Sequence, residues 1–340
     1  MSDFKAEVND PFEAWLETKI ARPSLEYVPR SITPNTISLA NTAVCWMVFA
    51  SAALSPHLDP IPRMLGLIAA GIMMFLSMVL DCWDGMQARR TGKTSKIGEL
   101  LDHWLDAIHV PLVTAAMAMV LQLPPWLVVL SMVTNGMIYN AQLVKYHLSG
   151  RFIHSPTSGV QAQFGLAISF ALMGIVLVFI PYETEWFGYV VRGIALVAIY
   201  EQVKQCLFYY GHLPGQLAGH YPFVLYGLAF GGLYLLGAID SLAFVLLIVF
   251  VSFRLSGSYV LFTIVKKPFS GNDVGIAVFV ALIAAAHFLG AGTMATREMA
   301  QVPVSLVLAY VACAYLCLRN GLDFTRHLPD LRPAAPVTAS

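Results

Sequence analysis

Eight residues across 26 positions carry side chains suited to binding metal and phosphate. They are Asp81, Asp84, Gly85, Ala88, Arg89, Gly98, Asp102 and Asp106, in the segment DCWDGMQARRTGKTSKIGELLDHWLD. Asp81 and Asp84 are three apart, and Asp102 and Asp106 four apart. On helices, each pair presents both carboxylates on one face. Four like charges brought together repel unless cations neutralise them. Oxygen-only ligands suit Mg²⁺, Mn²⁺ or Ca²⁺, and two such ions about 3.5–4 Å apart are the usual solution for displacement at phosphorus. Arg89 supplies a fork for phosphate oxygens. Gly85 and Ala88 remove bulk where a base or ribose would approach, and Gly98 does so ahead of the second acidic pair. This set fits a nucleotide diphosphate. Arg90, Lys93 and Lys96 add local positive charge, which raises the anion concentration or simply marks one membrane side.

The elements that must position these groups are membrane helices. The 340 residues are 58% hydrophobic and 12% charged, with mean hydropathy +0.69, against about 25% charge in a soluble protein. The expected fold is an all-α polytopic integral membrane protein with about ten transmembrane helices. They fall at 36–54, 62–80, 106–122, 125–144, 164–181, 187–206, 222–238, 241–264, 274–293 and 302–318. All but Arg63, Arg192 and Arg297 of the 20 Lys and Arg then lie on one side. By the positive-inside rule both termini and the acidic motif face the cytoplasm. Formal net charge is zero, which gives no indication of nucleic acid. No cleavable signal peptide is visible. The five cysteines form no CxxC pair and read as small buried hydrophobes.

Four regions follow. Residues 1–35 form a cytoplasmic N-terminal segment in which Phe12, Trp15, Leu16 and Ile20 share a helical face, for the membrane interface or for packing against the loops. Residues 36–210 are a catalytic core of about six spans. Residues 220–320 are C-terminal spans with little acidic or basic chemistry. Residues 321–340 are a Pro/Ala-rich disordered tail. Thr33-Pro34-Asn35-Thr36 reads as the cap and first turn of the first span. Glu201 and Lys204, three apart, pair with each other or line a head-group pocket.

The pattern D-x2-D-G-x2-A-R-x8-G-x3-D-x3-D, filled at every fixed position here, is the signature that the CDP-alcohol phosphotransferase family carries. DGMQARR, GELLDHWLD and TPNTIS further resemble segments of the eukaryotic-type choline/ethanolamine phosphotransferases. The resemblance implies an enzyme that transfers phosphoethanolamine or phosphocholine from a CDP-alcohol to diacylglycerol, releasing CMP. It implies two Mg²⁺ (Mn²⁺ possible) on Asp81, Asp84, Asp102 and Asp106, with Glu99 adding to the metal site. It implies Asn35 and Arg89 on the CDP-linked donor, and a homodimer in the lipid bilayer. His103 is implied as general base on the acceptor hydroxyl. Its place four residues after Glu99 lets the carboxylate orient the imidazole, and Asp106 is the competing base. A bacterial inner membrane is favoured over an endoplasmic reticulum membrane.

Two alternatives stand beside this reading. One has CDP-diacylglycerol as donor and a soluble alcohol or alcohol phosphate as acceptor. The other is a transporter or non-catalytic lipid-binding scaffold. Met86 stands where the subfamily has a lysine, removing a positive charge near the phosphates. Trp104 replaces a glycine, adding bulk next to the site. A quaternary ammonium needs aromatic faces, and Trp83, Trp104, Tyr139 and Tyr200 are the candidates.

Overall fold

Local chemistry sets the helix ends that frame the motif. The computed structural model describes residues 11–149, 159–182, 184–211, 221–269, 271–289, 293–295 and 301–331. The chain enters through α1 (Pro11–Leu16) and α2 (Arg22–Leu25), joined by a wide π-helical turn. Thr33 then caps α3 (Pro34–Leu54). Its hydroxyl accepts from the Thr36 amide at 3.3 Å, with Pro34 at the first helical position, as TPNT predicts. α4 (Pro60–Thr91) stops at Gly92, whose φ of +67° suits glycine. Ser95 caps α5 (Lys96–Val120) by accepting from the Gly98 amide at 3.0 Å. This tight reversal brings both acidic pairs to one end of the bundle.

Seven further helices follow: α6 (Pro125–Ser149), α7 (Gly159–Phe179), α8 (Glu185–Gly211), α9 (Tyr221–Leu235), α10 (Ser241–Ile264), α11 (Val274–Phe288) and α12 (Val304–Leu331). A short antiparallel ribbon, Thr293–Ala295 with Gln301–Pro303, lies between the last two. The ten helices α3–α12 fall at the ten expected spans. Seven of them are long and apolar enough to cross a membrane. α9 and α11, at 15 residues each, extend about 22 Å and fall short of a full span. α8 is long enough but carries Arg192, Glu201 and Lys204. The protein is an all-α polytopic membrane protein.

α3 packs along both α4 and α5, while α4 and α5 barely touch each other. α7 lies against α4 so closely that a Cβ on Gly71 would sit 2.6 Å from the Ala167 carbonyl oxygen. α8 and α9 pack on α6. α10 is the inner post of the C-terminal half, against α5, α6, α9 and α12.

Three expectations are corrected here. The supposed tail is helical through Leu331, because Phe324 and Leu331 pack with Leu100 and Trp104, and Asp330 pairs with Lys267 at 3.0 Å. Residues 332–340 lie outside the described ones. The C-terminal spans are not empty of charge either. Arg254, one of the Lys and Arg counted toward the cytoplasmic side, is buried inside α10 between Asp273 and Asp323, each at 2.8 Å. Trp104 points away from the acidic groups, stacking on Phe253 (5.0 Å between centroids) and donating to its carbonyl at 3.0 Å.

The room for Trp104 is Gly257 on α10, where a Cβ would lie 1.8 Å from the indole Cδ1. Gly257→Ala is therefore expected to destabilise the fold by about 1–3 kcal/mol through overpacking. Adding Trp104→Ala to that variant should recover part of the loss. Thermal melts of the two variants in detergent check this, and equal midpoints for wild type and Gly257→Ala would contradict it.

Candidate active site

The α4 segment carrying the motif has two faces with different work. Trp83, Met86, Gln87 and Arg90 turn toward the N-terminal segment. Trp83 Nε1 donates to the Ala21 carbonyl at 2.9 Å, Gln87 Nε2 to Pro29 (3.0 Å) and Ile32 (2.8 Å), and Arg90 to Leu25 (2.8 Å) and Val28 (2.6 Å). Met86 is buried with Leu16, Ala21 and Leu25. Arg90 is thus a staple for the entering chain. Met86 replaces a lysine on the packed face, so the missing charge is not at the acidic groups. The interfacial or packing choice for residues 11–25 resolves toward packing for Leu16, while Trp15 stays exposed. Phe12 lies 4.8 Å from the Phe164 ring.

The opposite face presents the acids. One carboxylate oxygen from each of Asp81, Asp102 and Asp106 lies within 4.8 Å of the others. Asp84 is buried beside them and accepts from Ser38 Oγ at 2.7 Å. Because α4 and α5 are held apart by α3, the side chains reach across a gap. Octahedral Mg²⁺ with 2.0–2.1 Å bonds needs cis oxygens about 3 Å apart and trans oxygens about 4.2 Å apart. Three carboxylates gathered within 4.8 Å, all hard oxygen donors, need only a small side-chain adjustment to hold such an ion. Asp81, Asp102 and Asp106 would hold it, with Asp84 at the edge. Glu99, expected as a further ligand, accepts a hydrogen bond from the Tyr146 hydroxyl at 2.7 Å.

The remaining expected residues lie on α3, α4, α5 and α8. Gly85 faces the Arg89 guanidinium, where a Cβ would stand 3.4 Å from Nη1. Arg89 is exposed, and Ala88 is one turn beyond Asp84 on α4. A Cβ on Gly98 would lie 3.5 Å from Asn35 Oδ1, so the α3 start and the α5 start meet there. The His103 ring meets Tyr146 edge-on at 6.2 Å, and its carbonyl accepts from the Tyr139 hydroxyl at 2.7 Å. Glu201 and Lys204 pair with each other at 2.8 Å on the exposed surface of α8.

Four residues were not singled out for the site from sequence: Ser38, Thr42, His109 and Tyr146. His109 carries the one available signal, three residues beyond Asp106 and hence on its face. It lines a cavity between α3 and α8 together with Asn135, Tyr139, Gln142, Gln205, Tyr209 and the apolar Cys45, Met74 and Leu166. No Asp, Glu, Lys or Arg lines this cavity among the described residues.

A sequence model of CDP-alcohol phosphatidyltransferases matches residues 31–200, half of the chain. Over 155 residues the chain is 31% identical to cholinephosphotransferase 1 of Rattus norvegicus, covering 44% of this chain and 38% of that one. Over 93 residues it is 39% identical to choline/ethanolaminephosphotransferase 2 of Arabidopsis thaliana, covering 26% and 23%. Over 141 residues it is 30% identical to a CDP-diacylglycerol–serine O-phosphatidyltransferase of Encephalitozoon cuniculi (strain GB-M1), covering 40% and 35%. The chain spans less than two-fifths of the length of each of these relatives. With helices, acidic centre and matched region coinciding, the chain belongs to the CDP-alcohol phosphatidyltransferase family.

Proposed function

We propose that the protein transfers a phospho-alcohol from a CDP-alcohol to diacylglycerol and releases CMP. The observation that carries this reading is the cavity beside the acidic centre. Its lining is neutral polar and apolar, which suits an uncharged membrane alcohol with ester carbonyls. Serine or an alcohol phosphate as acceptor would bring charges that need buried partners. The Lys and Arg asymmetry supports an acidic end that faces the cytoplasm, where nucleotides are available.

Arg89 and Asn35 would receive the donor, with Gly85, Ala88 and Gly98 leaving room for it. A divalent cation bound by the aspartates, magnesium or manganese, would supply charge stabilisation at the diphosphate. His103 takes the acceptor hydroxyl proton. Asp106 is the weaker candidate because it belongs to the set that would hold the cation and lies 3.3 Å from His109. The acceptor oxygen forms its bond to the phosphorus carrying the small alcohol. The bond from that phosphorus to the bridging oxygen breaks, and the electron pair leaves with CMP.

For the head group, three of the four rings a quaternary ammonium could use are engaged elsewhere, and the fourth, Tyr139, lines the cavity. Trp83 and Trp104 are spent on packing, Lys204 faces Tyr200 at 5.5 Å, and Lys145 faces Phe208 and Tyr209 at 5.6 and 5.7 Å. CDP-ethanolamine is accordingly preferred to CDP-choline.

The test is CMP release by the purified protein with Mg²⁺. Labelled CDP-ethanolamine and CDP-choline are each supplied with diacylglycerol, and CDP-diacylglycerol is supplied with serine or glycerol phosphate. The expected order is CDP-ethanolamine, then CDP-choline, with no turnover of CDP-diacylglycerol. Turnover of CDP-diacylglycerol alone would reverse donor and acceptor, the reading that the Encephalitozoon relative favours. A preference for CDP-choline would overturn the head-group choice only.

A further inference from the structure

His109 enters the acidic centre from outside the motif. It is buried, one turn beyond Asp106 on α5, with Nδ1 3.3 Å from Asp106 Oδ1. Its Nε2 is 2.9 Å from Thr42 Oγ1 on α3. An ionised carboxylate only accepts hydrogen bonds. A neutral ring that pairs with Asp106 through this 3.3 Å approach carries its proton on Nδ1. In the neutral ring Nε2 is then an acceptor facing the Thr42 hydroxyl at 2.9 Å, which has the Ser38 carbonyl at 3.1 Å as its other acceptor. One turn earlier on the same α3 face, Ser38 donates directly to Asp84 at 2.7 Å. The two hydroxyls thus address two carboxylates from behind: Ser38 directly on Asp84, and Thr42 through His109 on Asp106.

We infer that His109, held by Thr42, is a positioning residue that fixes the Asp106 carboxylate for the divalent cation. This rests on the reading that Asp81, Asp102 and Asp106 hold that cation. A flexible aspartate at the cleft edge has several rotamers, of which few point its oxygens inward. A ring bonded to one oxygen selects among them and leaves the other oxygen's lone pairs for the metal. Partners of this outer kind typically contribute about 10–100-fold to metal affinity. With both ring nitrogens engaged, His109 is not a second base, and that role stays with His103.

The test uses the full-length protein in detergent and Mn²⁺ alone, with free Mn²⁺ read by electron paramagnetic resonance. Four proteins are compared: wild type, His109→Ala, His109→Asn and Thr42→Val. His109→Ala should bind Mn²⁺ about 10–100-fold more weakly. His109→Asn, whose amide nitrogen can donate in place of Nδ1, should recover most of that loss. Thr42→Val should fall between. Failure of wild type to bind Mn²⁺ would overturn the metal reading itself. Wild-type binding with undiminished affinity in His109→Ala would overturn the role of His109 and leave the metal reading intact. Should His109→Ala not fold, Thr42→Val decides, and wild-type affinity there overturns the proposal.

Discussion

Asp102→Asn is expected to lower CMP release by about 10²–10³-fold or more, the scale on which fixed charge at a developing anion acts. The replacement keeps shape and volume and removes one negative charge from a set whose oxygens lie within 4.8 Å of one another. That pairing makes two further outcomes follow. Without metal, the like charges repel, so the variant should melt no lower than wild type. With metal, wild type should gain stability by mass action, about 2.7 kcal/mol when the ion is at a hundred times its dissociation constant, and the variant should gain far less. Melting curves with and without Mg²⁺, beside the CMP assay, read all three. Activity within tenfold of wild type, or an equal Mg²⁺ shift in both proteins, would dismiss the cation site at Asp81, Asp102 and Asp106.

Arg254→Met is expected to have the largest effect on stability. The guanidinium bonds Asp273 Oδ2 through Nε and Asp323 Oδ2 through Nη1, each at 2.8 Å, and Nη1 also donates to Ser258 Oγ at 2.8 Å. Tyr315 adds a hydrogen bond to Asp273 at 3.1 Å. This network ties α10 to α12 and to the start of α11. Removing the cation leaves two carboxylates buried without it, at a cost of about 3–5 kcal/mol. Neutralising the partners as well, in Arg254→Met/Asp273→Asn/Asp323→Asn, should restore much of that. Asn at 273 can still cap α11 as Asp273 does now, by accepting from the Gly275 amide at 3.0 Å. Thermal unfolding in one detergent checks both variants. A single variant that melts with wild type would show that the network carries no stability.

The position of the triad also bears on the orientation count. Arg254 belongs to the interior of α10 and contributes nothing to loop charge, yet the bias of the remaining Lys and Arg survives its removal. Composition can place a charge near a span end, but only packing tells whether it faces water or a buried partner.

Helix positions and the acidic chemistry were legible from the linear chain because both are local. Apolar runs of about 20 residues mark the spans, caps such as Thr33 and Ser95 mark their starts, and three- or four-residue spacing puts acids on one face of their own helix. Spacing is silent on which other helix covers that face. Glu99 meets Tyr146 from 47 residues away, and His109 meets Thr42 from 67. Met86 and Trp104 stood out in the motif, but each sits on the far side of its helix, under the N-terminal segment or against Gly257. The sign and grouping of the acids are thus properties of the chain itself. Their separation across α3, the hydroxyls behind Asp84 and Asp106, and the uncharged cavity exist only once the helices pack, since each depends on a partner that no local pattern names.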